Sequence, residues 1–95
     1  MTRQVGTSRL VKSKHIADRI IEGKAIIVTP DSMMHQLSEV GTRIWQLLDA
    51  DSTIEAIAAR LVEEFDVSED DARKDVAALA KDLEQKKIVF YEKGA

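Results

Sequence analysis

Between Ser32 and Leu48 the chain passes from an extended pattern into a helical one with no linker, SMMHQLSEVGTRIWQLL, so a strand and a helix must share one corner of the fold. Over residues 32–37 the strand alternates, with Met33, His35 and Leu37 on one face and Ser32, Met34 and Gln36 on the other. Ser38 then offers a hydroxyl to the N–H groups that a helix start leaves unpaired. Val40, Ile44, Leu47 and Leu48 recur at helical spacing and give this helix an apolar face. Gly41 and Trp45 lie one turn apart beside that face, which lets a large ring sit over bare backbone. Trp45 is expected to anchor the core.

The flanking segments supply the partners that corner needs. Residues 1–14 are polar and basic, with Arg3, Arg9, Lys12 and Lys14 unopposed by any acid, and read as a flexible N-terminal arm ahead of one domain over 15–92. Ile16 to Thr29 reads as a hairpin: two β-branched runs flank Gly23, which can take the positive φ of a tight turn. Ala25-Ile26-Ile27-Val28 is apolar on both faces, as expected of a central strand in a covered sheet. Pro30-Asp31 turns the chain into the third strand, which the meander order leaves at the sheet edge.

Downstream, Ser52 and Glu55 have capping-box spacing ahead of a helix whose buried face is Ile54, Ile57, Ala58, Leu61, Val62 and Phe65. Ser68 caps a third helix with Glu69, Asp70 and Asp71 in its first turn, where the helix dipole favours carboxylates, and a core stripe of Ala72, Val76, Leu79 and Leu83. Ile88 to Tyr91 is a last extended run, expected to pack on the sheet or on a helix end. The fold class is therefore α+β: a three-stranded antiparallel sheet followed by three helices, winged-helix-like.

Chemistry is sparse. Ninety-five residues at 44% apolar and 33% charged make one modest core, better suited to a binding module than to a deep catalytic cleft. The absence of cysteine excludes disulfides, thiolate catalysis and cysteine-bound zinc. His15 and His35, far apart in sequence, offer no metal-ligand spacing, so no metal and no catalytic residue is expected. Asp31, Ser32 and His35 are close in sequence, but alternation puts Ser32 and His35 on opposite faces of the strand. No apolar run is long enough for a signal peptide or a membrane span, and the cytoplasm is the expected compartment.

Two binding functions remain. A winged-helix DNA-binding regulator is the alternative, but it would present Glu69, Asp70 and Asp71 to phosphates, and the net charge is −3. The other is peptide capture at the sheet edge. A peptide added to the third strand would satisfy backbone groups along Ser32, Met33, Met34, His35, Gln36 and Leu37 and reach a groove toward the third helix. Met33 and Met34 suit such a site because thioether side chains adapt to varied apolar partners. The same edge leaves room for a homodimer.

Residues 15–89 resemble the PqqD family, the small peptide-binding proteins of pyrroloquinoline quinone biosynthesis. More broadly they resemble the recognition elements that hold precursor peptides of ribosomally synthesised, modified peptides. The resemblance is carried by LSEVGTRIWQLLD at Leu37–Asp49, by STIEAIAARLVEEFDVSEDDARKDVAALAKDLEQKKIV at Ser52–Val89, and by the hairpin before them. The family usually has aromatic residues where Met34 and His35 stand, Asn at Ser38, and Gly-Leu at Lys87-Ile88. The resemblance implies a non-catalytic protein, with no cofactor, that binds a precursor or leader peptide as an added strand. It would present that peptide to a modifying enzyme, often a radical S-adenosylmethionine enzyme. Carried over by position, the edge is Met33–Leu37 and the opposing helix Ser68–Lys86, with Arg73, Val76, Ala77 and Ala80 expected to face the groove.

Overall fold

The computed structural model describes residues 8–50 and 53–93. In chain order its elements are β1 (Ser8–Lys12), β2 (Ala17–Ile21), β3 (Lys24–Val28), β4 (Met34–Gln36), α1 (Glu39–Leu47), α2 (Ile54–Glu64), α3 (Glu69–Gln85) and β5 (Val89–Lys93). β2, β3 and β4 form an antiparallel sheet in that order, and β1 pairs with β5 in a second, two-stranded sheet. The architecture is α+β and winged-helix-like, with α1 packed on β3 of the larger sheet and α3 on β5 of the smaller one.

The β2–β3 hairpin closes with Ile21 opposite Lys24, which leaves Glu22 and Gly23 as a two-residue loop. Both take positive φ, 53° and 79°, the combination whose twist matches that of the flanking strands. Ala25 and Ile27 of β3 point inward and are fully buried. Ile26 and Val28 lie on the opposite face and are only half-buried, so the expectation of a sheet covered on both faces does not hold among the described residues. β2 is exposed along its whole length.

Each helix begins on a side-chain cap. The Ser38 hydroxyl accepts the Gly41 N–H at 3.0 Å, and the Ser68 hydroxyl accepts the Asp71 N–H at 3.1 Å. In α2 the cap is Thr53, one residue later than the sequence spacing predicts, accepting the Ala56 N–H at 3.2 Å. Ser52, expected to fill that role, lies outside the described residues. Val62 is 38% exposed rather than buried, while Ile57, Ala58 and Leu61 carry the buried face of α2.

α3 ends in a Schellman arrangement. Ile88 N–H donates to the Leu83 carbonyl at 2.8 Å, and Lys87 N–H donates to the Glu84 carbonyl at 3.0 Å. Lys87 adopts φ 62°, and buried Ile88 and Leu83 provide the apolar contact that accompanies such a cap.

The core centres on Trp45, which is 1% exposed. Its indole N–H donates to Asp18 Oδ2 at 2.8 Å, and the Lys12 ammonium lies 4.1 Å from the ring centroid. One side chain of α1 thus ties together β1 and β2. Buried Thr42 on the same helix accepts the Ala25 N–H at 2.8 Å and joins α1 to β3. The atoms nearest a side chain added at Gly41 belong to Ser38, Leu37 and Leu79, not to Trp45. Added bulk at Gly41 would press first on the Ser38 cap hydroxyl, 3.3 Å away, while Leu79 of α3 stands at an ordinary contact distance of 3.6 Å.

Ser8–Lys12, read from sequence as part of a basic arm, is a strand whose Leu10 is buried, and it pairs with β5 in register from Ser8↔Lys93 to Lys12↔Val89. Residues 1–7 of the expected arm lie outside the described residues.

Candidate functional site

β4 is a border strand. It pairs with β3 alone, in the register Ile26↔Gln36, Ile27↔His35 and Val28↔Met34. The terminal strand β5, which could have sealed this border, pairs with β1 instead. Two hydrogen bonds fix which β4 residues face inward. Leu37 N–H donates to the Ala25 carbonyl at 2.9 Å, and Thr29 N–H donates to the Met33 carbonyl at 3.0 Å. Antiparallel alternation then directs the backbone groups of residues 33, 35 and 37 toward β3. The N–H and C=O of Met34 and Gln36 are left pointing off the sheet.

The turn into β4 is held by Asp31. The Thr29 hydroxyl donates to its carboxylate, and the Met33 N–H lies 3.4 Å from the same oxygen. The hydroxyl bond, helped by backbone donors and by the His35 charge, holds this carboxyl below the usual aspartate range despite some desolvation. Ser32 sits in the turn with φ 68°.

The side chains of the border divide between two faces. Leu37 is buried toward the helices and His35 is half-buried there, whereas Met33 is exposed near the turn. Met34, 68% exposed, projects instead from the opposite face, where Ala17, Arg19, Ile21, Ile26 and Val28 share with it a shallow depression of about 320 Å³. Gln36 is exposed on that face too.

Facing the start of α1 is a cleft of about 270 Å³ lined by Ser38, Val40, Gly41, Ile44, Asp75 and Leu79. Its α3 wall differs from the one carried over by resemblance. Val76 and Ala80 are buried in the core stripe with Ala72 and Leu83. Arg73 lies on the α2 flank, 3.3 Å from Glu55 of that helix, with Glu69 at 3.0 Å and Asp70 at 3.8 Å. Ala77, four residues on, is exposed and shares that flank. The residues one step to the other side of the core stripe, Asp75 and Leu79, are the ones that reach the cleft. The signal that could have found them is the contact between Gly41 and α3, a pairing between distant segments that helical periodicity alone does not supply.

A second hollow, about 420 Å³, lies at the other end of α3 and β4, lined by Ser13, His15, Thr29, Pro30, Asp31, Lys86, Lys87 and Phe90. Asp75, Leu79, Asp82 and Lys86 follow one another at helical spacings of four, three and four, so one strip of α3 runs from the cleft to this hollow. β4 spans the same interval from its Leu37 end to its Met33 end. No group of three or more His, Asp or Glu residues among those described could hold a metal ion. No described helix is long and apolar enough to cross a membrane.

Comparison with known proteins gives a consistent result. The family model described as coenzyme PQQ synthesis protein D (PqqD) matches residues 24–89. A solved structure described as TbiB1 in complex with the TbiA(beta) leader peptide superimposes with TM-score 0.78 at 21% identity, covering 83% of this chain and 93% of that one. Another, lasso peptide synthetase B1 complexed with the leader peptide, gives TM-score 0.75 at 26% identity, covering 88% of this chain and 98% of that one. No curated protein matches. The DNA-binding alternative gains no support from these matches, and α3 exposes Glu69, Asp70 and Asp71 in its first turn.

Proposed function

The chain belongs to the PqqD family, and on that premise we propose that it captures a ribosomally made precursor or leader peptide as an added strand on β4. It hands that peptide to a modifying enzyme without catalysing chemistry itself. The family's association with pyrroloquinoline quinone and related modified peptides makes a radical S-adenosylmethionine enzyme the expected recipient. The cytoplasm is the compartment in which such a peptide is made.

The observation that carries this reading is the open side of β4, where Met34 and Gln36 direct backbone donors and acceptors away from the sheet. Four main-chain hydrogen bonding groups are thereby on offer to a guest strand, and the Asp75–Leu79 wall lies alongside to receive its side chains. Val76 and Ala80 support that wall from beneath. Ser32, Met33, Met34, His35, Gln36 and Leu37 remain the proposed binding edge. A second copy could occupy the same border, so dimer formation and peptide capture would compete.

Titrating a candidate precursor peptide while following backbone amide resonances tests the proposal. Shifts should concentrate in residues 32–37 and in α3 from Asp75 to Lys86. Peptide that fails to bind at high micromolar concentration, or shifts centred on β2, would overturn it.

A further inference from the structure

The two ends of the proposed peptide track carry opposite charge. At the α1 end the α3 wall presents Asp75. At the other end two lysines, Lys86 and Lys87, stand against one carboxylate, Asp31, around the 420 Å³ hollow, with His15, Ser13 and Phe90 beside them. We infer that this hollow receives a carboxylate side chain of the guest peptide, so that the track reads the peptide's charge polarity as well as its backbone. The inference rests on strand addition at β4.

The donors in the hollow are of the kind a carboxylate needs. Lys87 makes no ion pair among the described residues, and Lys86 shares its charge with Asp82 on its own helix at 2.9 Å. Ser13 Oγ accepts the His15 backbone N–H at 3.0 Å, which leaves the Ser13 hydroxyl hydrogen available to donate. Asp31, the acid within the lining, accepts the Thr29 hydroxyl and keeps its charge, so the two lysines outweigh it and leave the lining net positive by one charge. Phe90, 49% exposed, supplies an apolar wall for the methylenes of a glutamate. An acidic residue placed at the opposite end would instead meet Asp75 and be repelled. The strand's length, roughly 13 Å from residue 33 to 37 at about 3.3 Å per residue, keeps the two ends within one short peptide.

A displayed library of random twelve-residue peptides, selected on the wild-type protein, provides the test. Binders should share an Asp or Glu at a fixed offset from their strand-forming segment. They should bind about two- to fivefold more weakly to Lys87→Gly at low salt, and weaker still to the Lys86→Glu/Lys87→Glu double variant. Lys87→Gly replaces a left-handed lysine by the residue that this position favours, so its weaker binding cannot be ascribed to misfolding. Binders lost on Met34→Pro but lacking the acidic residue, or indifferent to both lysine variants, would overturn the polarity while strand addition stands. Binders that tolerate Met34→Pro, or no enriched binders at all, would overturn strand addition and this inference with it.

Discussion

At the scale of single residues, the most informative position is Lys87. A left-handed conformation presses Cβ against the neighbouring carbonyl in any L-residue, at a cost of roughly 1–2 kcal/mol, and glycine escapes it. The Schellman cap nonetheless requires that conformation, and lysine stands where the family usually has glycine. Lys87→Gly should therefore raise stability by about 0.5–1 kcal/mol in urea denaturation, the strain relief being partly offset by a more flexible unfolded chain. Unchanged or lowered stability would mean that the lysine stem makes contacts that outweigh the strain. Asp31 is the other residue with a sharp prediction. Its carboxyl is held below the ordinary range, so its stabilising contribution is present above that range and disappears as pH falls through the depressed folded value. Asp31→Asn should accordingly melt at a lower temperature than wild type near neutral pH, with the difference closing in strong acid. A gap that persists at about pH 2 would show that the turn is held by shape rather than by charge.

At the scale of elements, β4 makes a directional prediction. Proline at 34 deletes an N–H that points off the sheet, while proline at 35 deletes one that bonds β3. Met34→Pro should abolish peptide binding with little change in helical circular dichroism or melting temperature. His35→Pro should lower the melting temperature by itself. Retained affinity in Met34→Pro would refute edge pairing. The edge was legible in sequence because alternation, the Pro30-Asp31 turn and the meander order all constrain one short segment. The caps on α1 and α3 were equally legible, each being set by one serine and the residues just after it. The α3 wall was not. Arg73, Val76 and Ala77 differ from Asp75 and Leu79 only in rotation about the helix axis, and that rotation shows in the neighbours they meet: Arg73 pairs with Glu55 of α2, and Leu79 lies beside Gly41 of α1. Neither partner is near α3 in sequence. The open outer face of the larger sheet was hidden for a related reason: Ile26 and Val28 are apolar whether or not anything covers them.

For the whole molecule, the decisive pairing joins the two ends of the described chain. Composition marks residues 1–14 as a basic arm, because three residues in five along Ser8–Lys12 are polar or charged. Yet β1 gives Leu10 to the core and Lys12 to the Trp45 ring, and its partner β5 follows directly from the cap of α3. This pairing gives β5 a mate other than β4, so the border of β4 stays open among the described residues. Leu10 is 4% exposed, and truncating a leucine so enclosed should cost about 2–5 kcal/mol. That is a large part of the 5–15 kcal/mol that holds a typical domain together. Leu10→Ala should thus lower the urea midpoint strongly and speed hydrogen exchange along both β1 and Val89–Lys93. If the residue belonged to a loose arm, the midpoint would not move and exchange in β5 would be unaffected. A drop in the midpoint with β5 still protected would mean that β5 is held by α3 instead of by β1, and the border of β4 would then have to be kept open by some other restraint.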